Sequence, residues 1–374
     1  MFLFLTFKVF FLHLCNMNKN VIFFKKDEEK FSATLYRNVH DSFSKNDLNF
    51  AKALLWTKLV FYFSFFIASI LTLYYNPYGD SFIMLIINYS FIGISGTLLA
   101  FNSSHDACHG TFSKSNWVND IIFHFTFNSQ GISARLWKIR HLASHHLFSN
   151  VDGCDADIDD NPFIRFSPNH PKKSFMKFQH LYSPLLYSLY LLIWIFIKDF
   201  VYLKKKNLAN LKNQNYPTWY TIELVLVKAI YLFYILIIPI YFLEFSVSQI
   251  LVCYMIMLII SSNIFIYTLV PTHFTMETEF PSIDENGVLP YNFSQHQLIT
   301  SMDFYPTSKF VTFLLGGFNC HAAHHLFPSL PHTIYPKVTP IIENVGSKFG
   351  YKYNVLTLLG AIKSHFCFLK KLGS

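Results

Sequence analysis

Apolar residues run almost without interruption through four stretches, 55–76, 82–101, 222–244 and 248–271. Each reaches the roughly 20 residues a helix needs to cross the hydrocarbon core of a bilayer, so the pattern predicts four membrane-spanning helices. A fifth apolar stretch, 181–203, is broken by Ser183, Pro184 and Ser188 and carries Lys198 and Asp199 ahead of the run Lys204 to Lys206. Met1 to Cys15 is also apolar, but it is short for a span and lacks a small-residue cleavage site. Segment 1–16 therefore reads as an upstream-start artefact, with Met17 the natural beginning.

Composition agrees with a membrane protein. Of 374 residues 52% are hydrophobic and 19% aromatic, more apolar surface than one soluble domain can bury. Lys and Arg exceed Asp and Glu by eight, so the polar parts are basic and suit anionic lipid or an acidic protein. No aromatic-interleaved basic motif or zinc-finger spacing points to nucleic acid. The six cysteines, at 15, 108, 154, 253, 320 and 367, form no CxxC pair, which fits a reducing compartment better than a disulfide scaffold.

Eight of the 17 histidines fall in three short pieces: His105-Asp-Ala-Cys-His109, His141-Leu-Ala-Ser-His145-His146 and His321-Ala-Ala-His324-His325. Isolated histidines such as His13, His40, His124 and His365 read as polar surface or satisfied core residues. The clusters differ because helical spacing lets side chains i and i+4 share a face. His105 with His109, and His141 with His145, can thus present imidazoles to one point, and 321, 324 and 325 fall on one face. His146 lies one residue's rotation from His145, so adjacent histidines can reach two centres. Eight imidazoles exceed the six positions of one octahedral ion, and two ions at four or five nitrogens each would use them. Imidazole suits Zn, Cu, Fe and Ni alike. The absence of HExxH and of paired Glu-x-x-His argues against a zinc protease and a carboxylate-bridged di-iron bundle. His105 follows the second apolar stretch by about four residues, at the membrane surface, and His273, at the end of the last stretch, is a ninth candidate ligand.

A shared metal site constrains topology. Stretches 222–244 and 248–271 give an even number of crossings between the second and third clusters, which makes 181–203 an interfacial or re-entrant segment. The outer loops Tyr75 to Ser81 and Leu243 to Gln249 hold no Lys or Arg, whereas Lys25, Lys26, Arg135, Lys138, Arg140, Lys172 and Lys173 lie on the other side. By the positive-inside rule both termini and all three clusters are expected to be cytoplasmic. The expected architecture is an all-α, multi-pass integral membrane protein with four transmembrane helices, interfacial helices and a cytoplasmic histidine cap.

Asp155, Asp157, Asp159 and Asp160 imitate a calcium loop only superficially, because its sixth position is Asp160 rather than Gly and its twelfth is Phe166. Support for histidine ligands or a solvated turn is the better reading. Asp106 can orient a neighbouring imidazole or cap a helix.

With the spacings H-x3-H, H-x3-H-H and H-x2-H-H, the chain resembles the membrane fatty acid desaturases over roughly 50–345. Leu136-Trp137-Lys138, Arg140, Asn150, the stretch Gly153 to Asp157, His296-Gln297, Gly316-Gly317-Phe-Asn319 and the Leu326-Phe327-Pro328, Pro331-His332 and Tyr335-Pro336 pieces are similar to the linoleoyl-CoA and front-end branch. That branch commonly has Gln where this chain has His321. The resemblance implies a di-iron centre on His105, His109, His141, His145, His146, His273, His321, His324 and His325, with no catalytic residue beyond these ligands. It also implies insertion of a double bond into an acyl-CoA or acyl-lipid chain with O2. No His-Pro-Gly-Gly haem motif is present, so the two electrons are expected from a separate ferredoxin or b-type cytochrome. The expected division is an N-terminal cytoplasmic segment 1–50, a desaturase domain 51–345 and a cytoplasmic tail 346–374. A membrane hydroxylase or ketolase is the nearer alternative, and a His-rich metal transporter the remote one.

Overall fold

The computed structural model describes residues 22–159 and 161–374; segment 1–16 with His13 and Cys15, and also Asp160, lie outside the described residues. Among the described residues four helices are long and apolar enough to cross a membrane: Lys45–Tyr75, Phe82–Cys108, Thr218–Phe242 and Val247–Thr272. The first begins ten residues before its apolar stretch because Ser44 and Asp47 form a reciprocal capping box, each side chain taking the other's main-chain N–H. At 31 residues it is about 46 Å long, more than the hydrocarbon core requires, so its end stands clear of the bilayer. Spans two and four pack closest. A Cβ on Gly93 would lie 2.6 Å from Ser261 Oγ, which is why the smallest residue stands there.

Between spans two and three, the doubtful fifth stretch forms two helices, Ser174–Ser188 and Tyr190–Lys204, bent by 66° at their junction. Of the charges that interrupt it, Asp199 is buried among partners. Asp199 accepts from the Trp194 indole and the Ser133 N–H, both at 2.9 Å, and pairs with Lys228 of the third span, whose ammonium also donates to Gly131 O. This buried pair joins the bent segment, the third span and the turn before the second histidine cluster.

A cap of short helices covers one end of the bundle. Helix Phe31–Asp41 buries Phe31, Leu35 and Val39, spaced four apart, against the helix Tyr335–Lys348. Among the described residues the regular structure is helical apart from two-residue parallel strand pairs, Phe23–Phe24 with Val288–Leu289 and Asp303–Phe304 with Val355–Leu356. The segment expected as a tail, 346–374, supplies one of these strands and the helix Leu358–Gly373. His365 of that helix bonds Tyr187 Oη at 2.8 Å and Phe274 O at 2.7 Å, as a satisfied core histidine.

Candidate metal centre

The helix of the second span does not stop where its apolar pattern ends. It passes through one π-helical turn, Ala100–Ser104, into His105–Cys108, so the first cluster sits on the span's own last turns. Helix Ala134–Arg140, capped by Ser133, likewise runs into a π-helical turn, His141–His145. The N–H of His146 reaches back to His141 O, and this i to i+5 register aligns His141 with His146 while turning His145 away. The expected pairing of His141 with His145 on one point is therefore corrected: the extra residue in the turn separates them. In the third cluster, helix His321–Leu326 brings His321 and His325 together and leaves His324 facing the other way, although all three are buried.

The nine histidines expected from the sequence converge as two adjacent groups. His105, His109, His141, His146 and His324 form one, and His145, His273, His321 and His325 the other; within each, one ring nitrogen per residue lies within 4.8 Å of all the rest. Nε2 of His141 stands 3.1 Å from that of His109 and 3.0 Å from that of His146. Nε2 of His321 stands 2.7 Å from His273 and 3.2 Å from His325. Bonds of about 2.1 Å from one ion put cis nitrogens about 3.0 Å apart, so these spacings fit a shared ion in each group. The groups abut, with the His146 and His325 rings stacked at 4.4 Å. His105 Nε2 and His324 Nε2 are buried with no hydrogen-bond partner, another sign that an ion completes the set.

Burial keeps these rings in the ligating form. It lowers His109 to about 3 and depresses His141, His146, His273, His321, His324 and His325 well below the usual range, the neighbouring histidines adding to the effect for those six. His145 is the exception. Burial opposes its protonation, yet Asp155 and Asp157 outweigh that and raise it to about 9.

Three of the four outer nitrogens of the four-histidine group are anchored, and His321 Nδ1 is buried without a partner. Asp155 meets His145 Nδ1 at 3.2 Å, Gln297 Oε1 meets His325 Nδ1 at 2.9 Å, and the Thr300 carbonyl meets His273 Nδ1 at 2.8 Å. Gln297 also donates to His146 O at 3.1 Å, which couples the second and third clusters. Asp106 does orient an imidazole, that of His332 rather than one of the nine candidate ligands. It pairs with His332 Nδ1, whose Nε2 faces the Lys58 ammonium of the first span. The aspartate run holds no calcium-loop geometry among its described members: Asp155 serves His145, Asp157 pairs with Arg140 and Asp159 with His170. His124 is half-buried beside Glu223, and His40 is exposed, both remote from the two groups.

Lys58 and Gln297 carry no ligand spacing, so spacing alone does not mark either as a site residue. A lysine within an apolar span was the available signal for the first.

Comparison with known proteins agrees with this geometry. The family model for fatty acid desaturases matches residues 80–357. The sn-1 linoleoyl-lipid 6-desaturase of Arthrospira platensis is 30% identical over 289 residues, 75% of this chain and 76% of that protein. The acyl-lipid (8-3)-desaturase of Mortierella alpina is 28% identical over 354 residues, covering 92% and 78%. Acyl-lipid (8-3)-desaturase B of Dictyostelium discoideum is 26% identical over 366 residues, covering 93% and 76%.

Proposed function

The chain belongs to the fatty acid desaturase family, and we propose that its nine histidines hold two iron ions with which it introduces a double bond into a lipid acyl chain. The observation that carries this reading is the convergence of nine imidazoles, eight of them buried and that of His109 half-buried, without a carboxylate among them, into adjacent groups of five and four. As a member of the family the chain is a membrane oxidoreductase acting on fatty acyl chains with O2.

When bound, the irons supply the O2 activation and C–H cleavage that no side chain performs. The residues of this chain do the rest. Seven of the imidazoles are kept neutral by burial, so their lone pairs are available for ligation. Asp155, Gln297 and the Thr300 carbonyl fix ring orientation from behind. Because His105 stands on the last turn of a span, an acyl chain can approach from the membrane, and the cap above excludes water.

With both groups on one side of the bundle, an even number of crossings separates the second cluster from the third, and the bent pair 174–204 does not span. Lys and Arg are missing from the loops at the opposite end, which supports a cytoplasmic metal centre and termini. The two electrons come from a separate ferredoxin or b-type cytochrome, drawn to the basic face. Reduction by a purified donor should slow as ionic strength rises, and salt-independent reduction would refute this recruitment.

The deciding experiment expresses the chain in a host with simple fatty acids and locates new double bonds by mass spectrometry. New unsaturation that requires O2 and disappears on His324→Ala supports the proposal. An inserted oxygen atom in the product would assign hydroxylation instead, and an iron-free, oxygen-independent protein would refute it.

A further inference from the structure

Residues 161–198 and the helix Leu358–Gly373 together contain eight Lys and Arg and not one Asp or Glu. The fold packs these segments together. Arg165 Nη1 donates to Leu372 O and Gln179 Nε2 to Leu369 O, both at 2.8 Å, and Lys172 bonds Ser374 O. Lys172, Lys173 and Lys177 therefore share one exposed surface with Lys370 and Lys371.

Apolar side chains run along the same surface. Phe175 is 44% exposed, Phe178 55%, and Leu181 and Leu185 66% each, the last three at i, i+3 and i+7 on one helical face. The Lys173 ammonium lies 6.0 Å from the Phe175 ring and that of Lys177 5.9 Å from Phe178, so charge borders the apolar stripe directly. The final helix packs at the end of the last span, where its His365 bonds Phe274 O one residue beyond His273.

We propose that this basic and aromatic collar is a binding site for the headgroups of anionic phospholipids. Lysines fit phosphate as point charges, and the stripe beneath them fits the acyl boundary of the same lipid. Four unshielded apolar side chains in line with the lysines favour a lipid over an acidic protein, whose matching surface would be polar. An anchored headgroup would steady the bent segment, and with it Asp199, which holds the turn before the second histidine cluster.

The test places the full-length chain in phosphatidylcholine nanodiscs containing a minor fraction of phosphatidylglycerol and measures, by electron paramagnetic resonance, immobilisation of spin-labelled forms of each lipid. The wild type should prefer phosphatidylglycerol by about fivefold or more, falling with added salt. The combined K172Q, K173Q, K177Q, K370Q and K371Q variant should lose the preference, and the corresponding five Arg variants should keep it at an unchanged melting temperature. Equal immobilisation of both lipids by the wild type, or a preference that resists salt, overturns the proposal even if the Gln variant fails to fold. No lipid preference combined with slower reduction of the Gln variant by an acidic donor assigns the surface to that protein and also overturns it. The readout needs no turnover, so its failure leaves the catalytic reading untouched.

Discussion

The Asp155 carboxylate meets His145 Nδ1 at 3.2 Å while the same carboxylate accepts the main-chain N–H groups of Asn150 and Asp157, each at 2.9 Å. A fully buried anion is thereby fixed by the backbone and applied to a single imidazole. Asp155→Asn should lower iron occupancy about 10-fold to 100-fold at limiting metal, with membrane insertion unchanged. Asp157→Asn, at a partly exposed position, should change occupancy much less. Equal metal content in wild type and Asp155→Asn, measured by mass spectrometry of the purified protein, would remove Asp155 from this role.

The split into groups of five and four makes alanine variants distinguishable. His324→Ala removes one of five nitrogens from its group, and His145→Ala one of four. Mössbauer spectra of 57Fe-loaded protein should therefore lose or shift different components in the two variants, and neither should retain activity. His124→Ala, outside both groups, should remain active. Identical spectra for the two variants would mean that the groups do not bind separate ions.

Much of this was legible in the sequence, for identifiable reasons. Ligand spacing and long apolar stretches are local features, so the nine histidines and four spans could be read directly. The division of His141 from His145 could not, because a π-helical turn leaves no compositional mark and becomes evident only when His146 bonds back to His141. Lys58, His332 and Asp106 meet across 274 and 226 residues of sequence, which no spacing encodes. The two-residue strand pairs are likewise long-range contacts too short to show a period.

Gly316 offers a steric test. Its φ is +61°, and a Cβ there would lie 2.1 Å from Phe101 O, within the turn that precedes the first cluster. Gly316→Ala should destabilise by more than about 2 kcal/mol, since it adds a clash to left-handed strain. Gly153 has φ +73° but open space around it, so Gly153→Ala should cost only about 1 kcal/mol. Thermal melting of both variants in detergent checks the difference; equal losses would show that the close approach contributes nothing.

His170 sits between Asp152 Oδ1 at 2.9 Å and Asp159 Oδ1 at 3.0 Å, and these hydrogen bonds raise it to about 9. A raised histidine stabilises the fold fully below its unfolded value of about 6.5 and loses that contribution as pH climbs through 9. The melting temperature of the wild type should therefore fall by a few degrees more than that of His170→Gln between pH 7 and about 10. Parallel pH profiles would contradict the linkage.

The order in which the ligands occur along the chain sets a timetable for biosynthesis. Four of the five histidines of the larger group precede residue 147, but its fifth, His324, and two members of the smaller group lie at 321–325. The larger group is complete only when residue 324, and the smaller only when residue 325, has left the ribosome, after the last two spans have been made. On the nascent chain the larger group has a partial chelate early, whereas the smaller one has only His145 until its remaining three histidines are made.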